Sequence, residues 1–265
     1  ANASPDPIVL ANVHIGDVSN QALTINNLAI ADGFSESLNA SFGGNSGDAT
    51  NNGGQINLLA AASTDSTTLV AGIDTSSVGN KNGSVNVNFV SDGSGTSELG
   101  ETNLAPQAIS ISGQVFGYAA AALDVSALDF VMRRGDPAVT KNLQVDNTAT
   151  ADGFHEGLDV SVQSLAAGYS ASGLPITNLA AGADGSAVIS LLGTTSGVFN
   201  GSLALGLESN GAVSGLANTM LSQETVSLSG RVYETAVASV LPTSIDFGIV
   251  HVGDVSPTAN ISVMN

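Results

Sequence analysis

Residues 244–265, SIDFGIVHVGDVSPTANISVMN, decide the fold, because two other versions of this stretch occur in the chain. One is PIVLANVHIGDVSNQALTINN at residues 7–27, and the other is ALDFVMRRGDPAVTKNLQVDN at residues 127–147. In each version apolar residues alternate on both sides of a Gly-Asp pair, which is typical of two half-buried strands joined by a tight turn. The turn glycines Gly16, Gly135 and Gly253 lie 119 and 118 positions apart. The sequence therefore predicts a tandem repeat, each unit of which opens with a hairpin.

The rest of the chain repeats with the same period. NGSVNV at residues 82–87 matches NGSLAL at residues 200–205, and SISGQVF at residues 110–116 matches SLSGRVY at residues 227–233. No capped segment of helical length with a 3.6-residue apolar period appears. We predict an all-β fold with two tandem Ig-like antiparallel β-sandwich modules, residues 1–123 and 124–241. Residues 242–265, the tail, are predicted to be the opening hairpin of a third module or a donor strand.

Two features of the predicted loops are informative. The segment Gly43–Gly54, GGNSGDATNNGG, has almost no apolar residue, so we predict an exposed, mobile loop inserted relative to the second module. The bend Ala-Asp-Gly-Phe occurs at residues 31–34 and again at residues 151–154. We expect Phe34 and Phe154 to plug the core of their modules where the chain turns inward.

Composition argues against several classes of function. The chain has 23 acidic and 5 basic residues and a formal net charge of −18, so we do not expect it to bind nucleic acid. Cysteine is absent, which removes disulfides, thiol nucleophiles and thiolate metal sites. No apolar run approaches the roughly 18 residues of a membrane-spanning helix. The start ANASPDP is typical of a terminus left after signal-peptide cleavage, so we expect a secreted or cell-surface protein.

The sequence offers little support for catalysis. No nucleophile elbow, P-loop or dinucleotide-binding glycine pattern occurs, so we expect neither an enzyme nor an organic cofactor. His14 and His251 occupy equivalent positions two residues before the turn glycine, where the second unit has Arg133. A position that accepts arginine is predicted to face solvent on its strand.

One loop is a candidate for calcium. Asp92, Glu98 and Glu101 place three carboxylates within ten residues, and hard cations need several oxygen ligands in one place. The second module keeps only Asn210 there, and no D-x-D-x-D-G spacing exists. A solvated acidic loop is the alternative interpretation.

The repeated openings resemble a known family. IDFGIVHVGDVSPTANISVMN at residues 245–265 and LDFVMRRGDPAVTKNLQVDN at residues 128–147 are similar to the opening strands of the Ig-like module of Hydin and abnormal-spindle proteins. The same module recurs in bacterial surface proteins of the choice-of-anchor D type, whose module endings are similar to NG-S-x-x-x and S-L-S-G-x-V-Y here. The first module departs from the pattern with Val9-Leu10-Ala11 where Asp-Phe-Gly would stand. The resemblance implies a seven-stranded sandwich used for extracellular assembly or attachment, without catalytic residues.

The third opening raises the question of what its strands pair with, because a lone hairpin is marginally stable in water. Either the natural chain continues, or the tail docks onto a neighbouring copy by strand addition. The predicted donor residues in the second case are Ile245, Phe247, Ile249, Val250, Val252, Ile261 and Val263.

Two functions are compatible with these patterns. The first is an extracellular structural subunit of a surface filament, fibre or coat, in which copies of the chain associate end to end as a homopolymer. The second is an adhesin or ligand-binding module whose loops Gly43–Gly54 and Asp92–Glu101 contact carbohydrate or another cell surface. Deleting the tail distinguishes them, because only the first function depends on it.

Overall fold

The computed structural model describes residues 1–265, and every regular element in it is a β-strand. This confirms the all-β fold predicted from the sequence. The strands of the first module are β1 (Asn2–Ser4), β2 (Ile8–Val9), β3 (Val13–His14), β4 (Asn20–Ala22), β5 (Thr24–Asn26), β6 (Ser37–Gly47), β7 (Ala49–Asn51), β8 (Gln55–Leu59), β9 (Thr64–Asp65), β10 (Val70–Ile73), β11 (Gly79–Asp92), β12 (Glu101–Asn103) and β13 (Gln107–Phe116).

The remaining strands belong to the second module and the tail. They are β14 (Ala121–Leu123), β15 (Ala127–Arg133), β16 (Val139–Asn147), β17 (Gly157–Leu165), β18 (Tyr169–Ser172), β19 (Ile176–Leu179), β20 (Asp184–Leu191), β21 (Gly197–Asn210), β22 (Thr219–Met220), β23 (Glu224–Tyr233), β24 (Ser239–Leu241) and β25 (Ser262–Met264). Nowhere does the structure contain a helix with the length and apolar composition that crossing a bilayer requires.

The first module is a two-layered sandwich. One layer has the strand order β2-β13-β11-β6-β8, with β3 also on β13 and β12 on β11. The other layer consists of two three-stranded sheets, β1-β5-β9 and β4-β10-β7. Alternate side chains of these strands point into a core of 17 buried apolar residues, as the period of two predicts.

The second module repeats this arrangement around its own core of 17 buried apolar residues. Its layers have the orders β15-β23-β21-β17-β19, with β22 on β21, and β14-β16-β20-β18. Along β15, Leu128, Phe130 and Met132 are buried while the residues between them are exposed. Residues 121–123, which the sequence prediction assigns to the first module, form β14 and pair with β16 of the second.

The opening segments are not hairpins, contrary to the sequence prediction. In the second module β15 pairs in parallel with β23 in one layer, whereas β16 pairs antiparallel with β20 in the other. The tight turn is present: Gly135 has a φ of 86°, and the Asp136 amide donates to the Arg133 carbonyl at 3.2 Å. Gly16 and Gly253 form the same turn. The turn carries the chain across the sandwich, because alternation fixes the face of each residue but not the partner of its strand.

The segment Gly43–Gly54 is not a mobile insertion either. Residues 43–47 extend β6, and residues 49–51 form β7, which pairs with β10. The second module has β18 in the same place, paired with β20. Gly47 has a φ of 60°, and a Cβ there would collide with the Asn82 carbonyl. The glycines reflect a left-handed turn and close strand approach, which composition alone cannot separate from a loop.

The tail forms only one short pairing, with the strand directly before it. β24 pairs with β25 in the register Ser239↔Met264, Val240↔Val263 and Leu241↔Ser262. In the second module β14 pairs with β16 at the equivalent residues. The tail therefore keeps one local contact of a module opening, while its first strand, which corresponds to β15, is unpaired.

Candidate functional site

A buried glutamate lies at the joint between the two modules. Glu156, directly before β17, is 0% exposed. Two serines of its own module donate to its carboxylate: Ser209 Oγ to Oε2 at 2.7 Å and Ser214 Oγ to Oε1 at 2.5 Å. The third partner comes from the first module, since His14 Nε2 lies 2.9 Å from Glu156 Oε1. A buried polar group without hydrogen-bond partners is destabilising, and these three contacts give partners to both side-chain oxygens of Glu156.

The first module covers this carboxylate with the ends of β3 and β13. His14 is 8% exposed, and its ring stacks on Tyr118 with 4.2 Å between centroids. Phe116 packs against Phe154 of the second module, with 5.7 Å between the ring centroids. The prediction that His14 faces solvent is wrong, because the second module sits on the end of its strand.

Backbone contacts complete the joint. The Gly117 amide donates to the Phe154 carbonyl at 2.8 Å, and the Glu156 amide donates to the Gly117 carbonyl at 3.0 Å. A Cβ at Gly117 would lie 2.5 Å from the ring of His155, so a larger residue there would require this ring to move. Specific contacts between the two modules therefore form the joint, which is not a loose linker.

A buried asparagine fixes the chain where it enters the second module. The Asn147 side chain is 0% exposed, and its Nδ2 donates to the carbonyls of Glu156 and Leu179 at 3.1 and 3.0 Å. Its Oδ1 accepts a hydrogen bond from the Ala120 amide at 3.1 Å. In the tail, Asn265 Oδ1 accepts from the Val237 amide at 3.1 Å in the same way. The tail thus reproduces the entry into a module.

The first module carries a second copy of the glutamate pocket at the far end of β11. Ser91 Oγ donates to Glu36 Oε2 at 2.7 Å, and Ser97 Oγ donates to Glu36 Oε1. The hydrogen bonds from Ser91 and then Ser97 hold the pKa of the Glu36 carboxyl below its ordinary value, so it is ionised at neutral pH. A cavity of about 430 Å³ opens beside it, lined by residues that include Asn27, Glu36 and Ser91.

This copy of the pocket faces solvent. Phe34, which corresponds to Phe154, is 89% exposed, so the prediction that it plugs the core is wrong. Phe154 is covered only because Phe116 of another module packs on it, and no module lies at that place beside Phe34. We call Phe34, Ser35, Glu36, Ser91 and Ser97 the leading face of the chain.

The opposite end of the second module presents the counterpart of the His14 surface. Arg133 follows Met132 on β15 as His14 follows Val13 on β3, and it is opposite Tyr233 as His14 is opposite Phe116. Arg133 is exposed, and Tyr233 is 54% exposed. We call Arg133, Tyr233 and Glu234 the trailing face.

The predicted donor residues are all in the tail and are all exposed. Their equivalents in the second module include Leu128, Phe130, Leu143 and Val145, which are at most 6% exposed. The donor residues are Ile245, Phe247, Ile249, Val250, Val252, Ile261 and Val263, with exposures from 36% upward. The tail therefore displays the apolar pattern of a module opening without a core around it.

The candidate calcium residues are not gathered into one site. Asp92 ends β11 and accepts hydrogen bonds from the Ser94 amide at 2.9 Å and from Asn39 Nδ2 at 2.8 Å. Ser94 and then Asn39 hold the pKa of the Asp92 carboxyl below its ordinary value. Glu101 is opposite Asp92 in the register of β11 and β12, and both Glu101 and Glu98 are exposed. No group of three His, Cys, Asp or Glu side chains in the structure is placed to hold a metal ion. Calcium binding stays a prediction, which calorimetric titration with calcium chloride tests.

Sequence reasoning missed the glutamate pocket. Glu36 and Glu156 are 120 positions apart, and Ser91 and Ser209 are 118 positions apart, so the signal was present in the repeat alignment. It was overlooked because polar positions of a repeat are ordinarily solvated. The Glu156 pocket is buried because another module packs on it, and the repeat alignment contains no information about this packing.

No family model and no curated protein matches the chain. Among solved structures, it is similar to the ASH / PapD-like domain of human CEP192 (PapD-like domain 7), at 14% identity and a TM-score of 0.35, covering 45% of this chain and 89% of that one. It is also similar to the human Desmocollin-1 ectodomain, at 10% identity and a TM-score of 0.40, covering 91% of this chain and 43% of that one. A third similarity is to CfaE, the adhesive subunit of CFA/I fimbria of enterotoxigenic Escherichia coli, at 9% identity and a TM-score of 0.32, covering 80% and 78%. The scores are too low to carry a functional argument, and the Ig-like β-sandwich architecture stands on the strand pairing of the chain itself.

Proposed function

We propose that this protein is an extracellular structural subunit, a tandem β-sandwich that assembles end to end into a surface filament, fibre or coat by strand addition. The observation that carries the proposal is the contrast between β15 and the tail. Phe130 is fully buried in the second module, whereas its equivalent Phe247 is 49% exposed. Burying a Val, Leu, Ile or Phe side chain contributes about 1.5–3 kcal/mol, so the exposed tail has a strong driving force to find a core.

The first module offers the edge at which the tail can be accepted. Its own opening strand is interrupted: β2 and β3 pair with β13 through only two residues each, whereas β15 pairs with β23 through seven. A cleft of about 370 Å³ lies along this edge, lined by residues that include Leu10, Gly113 and Gln114. A strand that is paired over fewer residues is easier for an incoming strand to replace than one paired along its whole length.

We infer the register of the proposed docking from the repeat. Phe130 is opposite Gly230 on β23, and the equivalent of Gly230 on β13 is Gly113. Phe247 of one copy then lies opposite Gly113 of the next, where the first module itself has the smaller Leu10. The contact is heterologous, because a tail meets a first module, and such contacts build a chain of copies and not a closed pair.

Replacing Phe247 by aspartate tests this proposal. We expect the wild-type chain, refolded at high concentration so that the tail competes with β2 and β3, to form a ladder of oligomers. Phe247→Asp should leave it monomeric, because a carboxylate cannot enter the core that phenylalanine fills. The measurement is light scattering coupled to size-exclusion chromatography, with negative-stain electron microscopy of the largest species.

The matched control is Val255→Asp. Val255 is also an exposed apolar residue of the tail, but it follows the Gly253 turn and is not a donor residue. It should leave the oligomer ladder unchanged. Equal loss of oligomers in both variants, or none in either, would contradict strand addition through Phe247.

The resemblance to bacterial choice-of-anchor D surface proteins inferred from residues 128–147 and 245–265 would imply a secreted or cell-surface location and a non-catalytic role, and we include both in the proposal. The alternative of an adhesin acting through its loops has less support. Its first proposed contact loop, Gly43–Gly54, lies largely in β6 and β7 and is held against β10. Attachment that survives deletion of the tail and is lost on replacement of residues 93–100 would favour the adhesin.

A further inference from the structure

The internal joint suggests what holds two copies together beside the tail. We propose that the leading face of one copy docks on the trailing face of another, with the Arg133 guanidinium entering the Glu36 pocket as His14 enters the Glu156 pocket. This inference rests on the proposed end-to-end assembly and adds the side chains that fix its joint. The occupant is a second copy of this chain.

Charge complementarity supports this occupant. The chain has only five basic residues, and three of them, Arg133, Arg134 and Arg231, lie toward the ends of β15 and β23 that form the trailing face. Arg134 Nε pairs with Glu234 Oε1 at 2.8 Å, whereas Arg133 takes part in none of the salt bridges of the structure. On a chain of net charge −18, this basic end is the part best suited to approach a carboxylate.

The pocket that would receive Arg133 is already formed by side chains that are hydrogen-bonded to Glu36. The two hydroxyls at Glu36 are placed as they are at Glu156, and both carboxylate oxygens are engaged. An arginine has a planar fork of donors that matches a carboxylate, so it can replace an imidazole at this place. The exposed Phe34 lies two residues before Glu36, where it can meet Tyr233 as Phe154 meets Phe116.

Side-chain sizes across the proposed joint are also complementary. At the internal joint a small residue, Gly117, faces a large one, His155, whose ring would overlap a Cβ on the glycine. On the trailing face, the residue equivalent to Gly117 is the larger Glu234. On the leading face, the residue equivalent to His155 is the smaller Ser35. The exchange of large for small on both sides keeps the combined volume similar, so the same approach remains possible.

Two contacts of the internal joint have no counterpart. The Tyr118 ring that stacks on the histidine corresponds to Thr235 on the trailing face. Asn12 Nδ2 donates to the Ser214 carbonyl at 2.7 Å, but Val131 stands at the position of Asn12 on the trailing face. The contact between copies is therefore expected to be weaker than the internal joint and to depend on the tail for its lasting attachment.

A charge exchange tests the inference. We expect Glu36→Arg and Arg133→Glu each to weaken association of refolded copies about tenfold or more, because each places like charges face to face. The double variant should recover most of the association, since an arginine at position 36 then faces a glutamate at position 133 of the other copy. Sedimentation velocity across a concentration series gives the association constants. Glu224→Arg and Lys141→Glu are the controls, because both residues are exposed and lie outside the two faces.

The outcomes separate this inference from the proposed function. If Phe247→Asp abolishes association while the single exchanges behave like their controls, the Arg133–Glu36 contact is wrong and strand addition stands. If the exchanges weaken association and Phe247→Asp does not, the contact stands and strand addition is wrong. Single variants that weaken association without recovery in the double variant would overturn the pairing, and a wild-type chain that stays monomeric would overturn both proposals.

Discussion

Replacing Phe130 by alanine should destabilise the second module by about 3–5 kcal/mol, the largest effect we expect of a single core substitution. Phe130 is 0% exposed, and the edge of its ring meets Tyr169 at 5.3 Å between centroids. Tyr169 is held in turn by a hydrogen bond from its hydroxyl to the Phe199 carbonyl at 2.8 Å. The surrounding side chains are thus fixed and cannot collapse into the space, so the full cost of the cavity is expected.

Scanning calorimetry measures this effect, with an expected fall of roughly 10–20 °C in the melting temperature of the second module. Phe34→Ala is the matched control, because Phe34 is exposed and its removal should change stability by no more than about 0.5 kcal/mol. Similar melting temperatures for Phe130→Ala and the wild type would contradict the core assignment.

Replacing Glu156 by alanine should uncouple the two modules. The variant leaves the His14 imidazole and the hydroxyls of Ser209 and Ser214 without their shared partner in a buried place. Each buried hydrogen-bonding group left without its partner costs about 1–3 kcal/mol, and here these groups lie on both sides of the joint. We expect the variant to unfold at a lower denaturant concentration than the wild type. We also expect proteases to cleave it faster within residues 117–124.

The equivalent glutamate of the first module provides the control for this variant. Glu36 keeps two serine donors but has no module against it, so Glu36→Ala should leave the protection of residues 117–124 unchanged. A Glu156→Ala protein that unfolds and is cleaved like the wild type would show that the joint does not depend on this carboxylate.

The sequence predicted the fold class, the repeat and the Gly-Asp turns, because these depend on local patterns. Alternation places Leu128 and Phe130 on the buried face of a strand, and positive φ requires glycine at Gly135. It did not predict that the turn connects two layers. A strand pattern is the same whether its partner lies beside it in a hairpin or across the sandwich.

Part of the candidate site was beyond prediction for a related reason. Phe34 and Phe154 lie in the same Ala-Asp-Gly-Phe bend, yet only Phe154 has an aromatic ring of the other module packed on it. His14 and Arg133 likewise occupy one repeat position, and only His14 is buried. In each pair the two residues have equivalent local sequences but different burial. Their burial depends on whether another module lies against that end of their own module. The apolar pattern of the tail, in contrast, follows from its sequence alone, and the role of these residues as donors stays a prediction.

A disulfide engineered between copies tests strand addition by the tail, since the chain has no cysteine of its own. In the second module Asp129 and Ser229 are opposite each other on β15 and β23, and their side chains are hydrogen-bonded. The equivalent residues of the tail and of β13 are Asp246 and Ser112. We expect the Asp246→Cys, Ser112→Cys double variant, refolded at high concentration and oxidised, to give a ladder of linked copies in a non-reducing gel. A product that stays monomeric, whether its thiols remain free or close within one chain, would contradict strand addition.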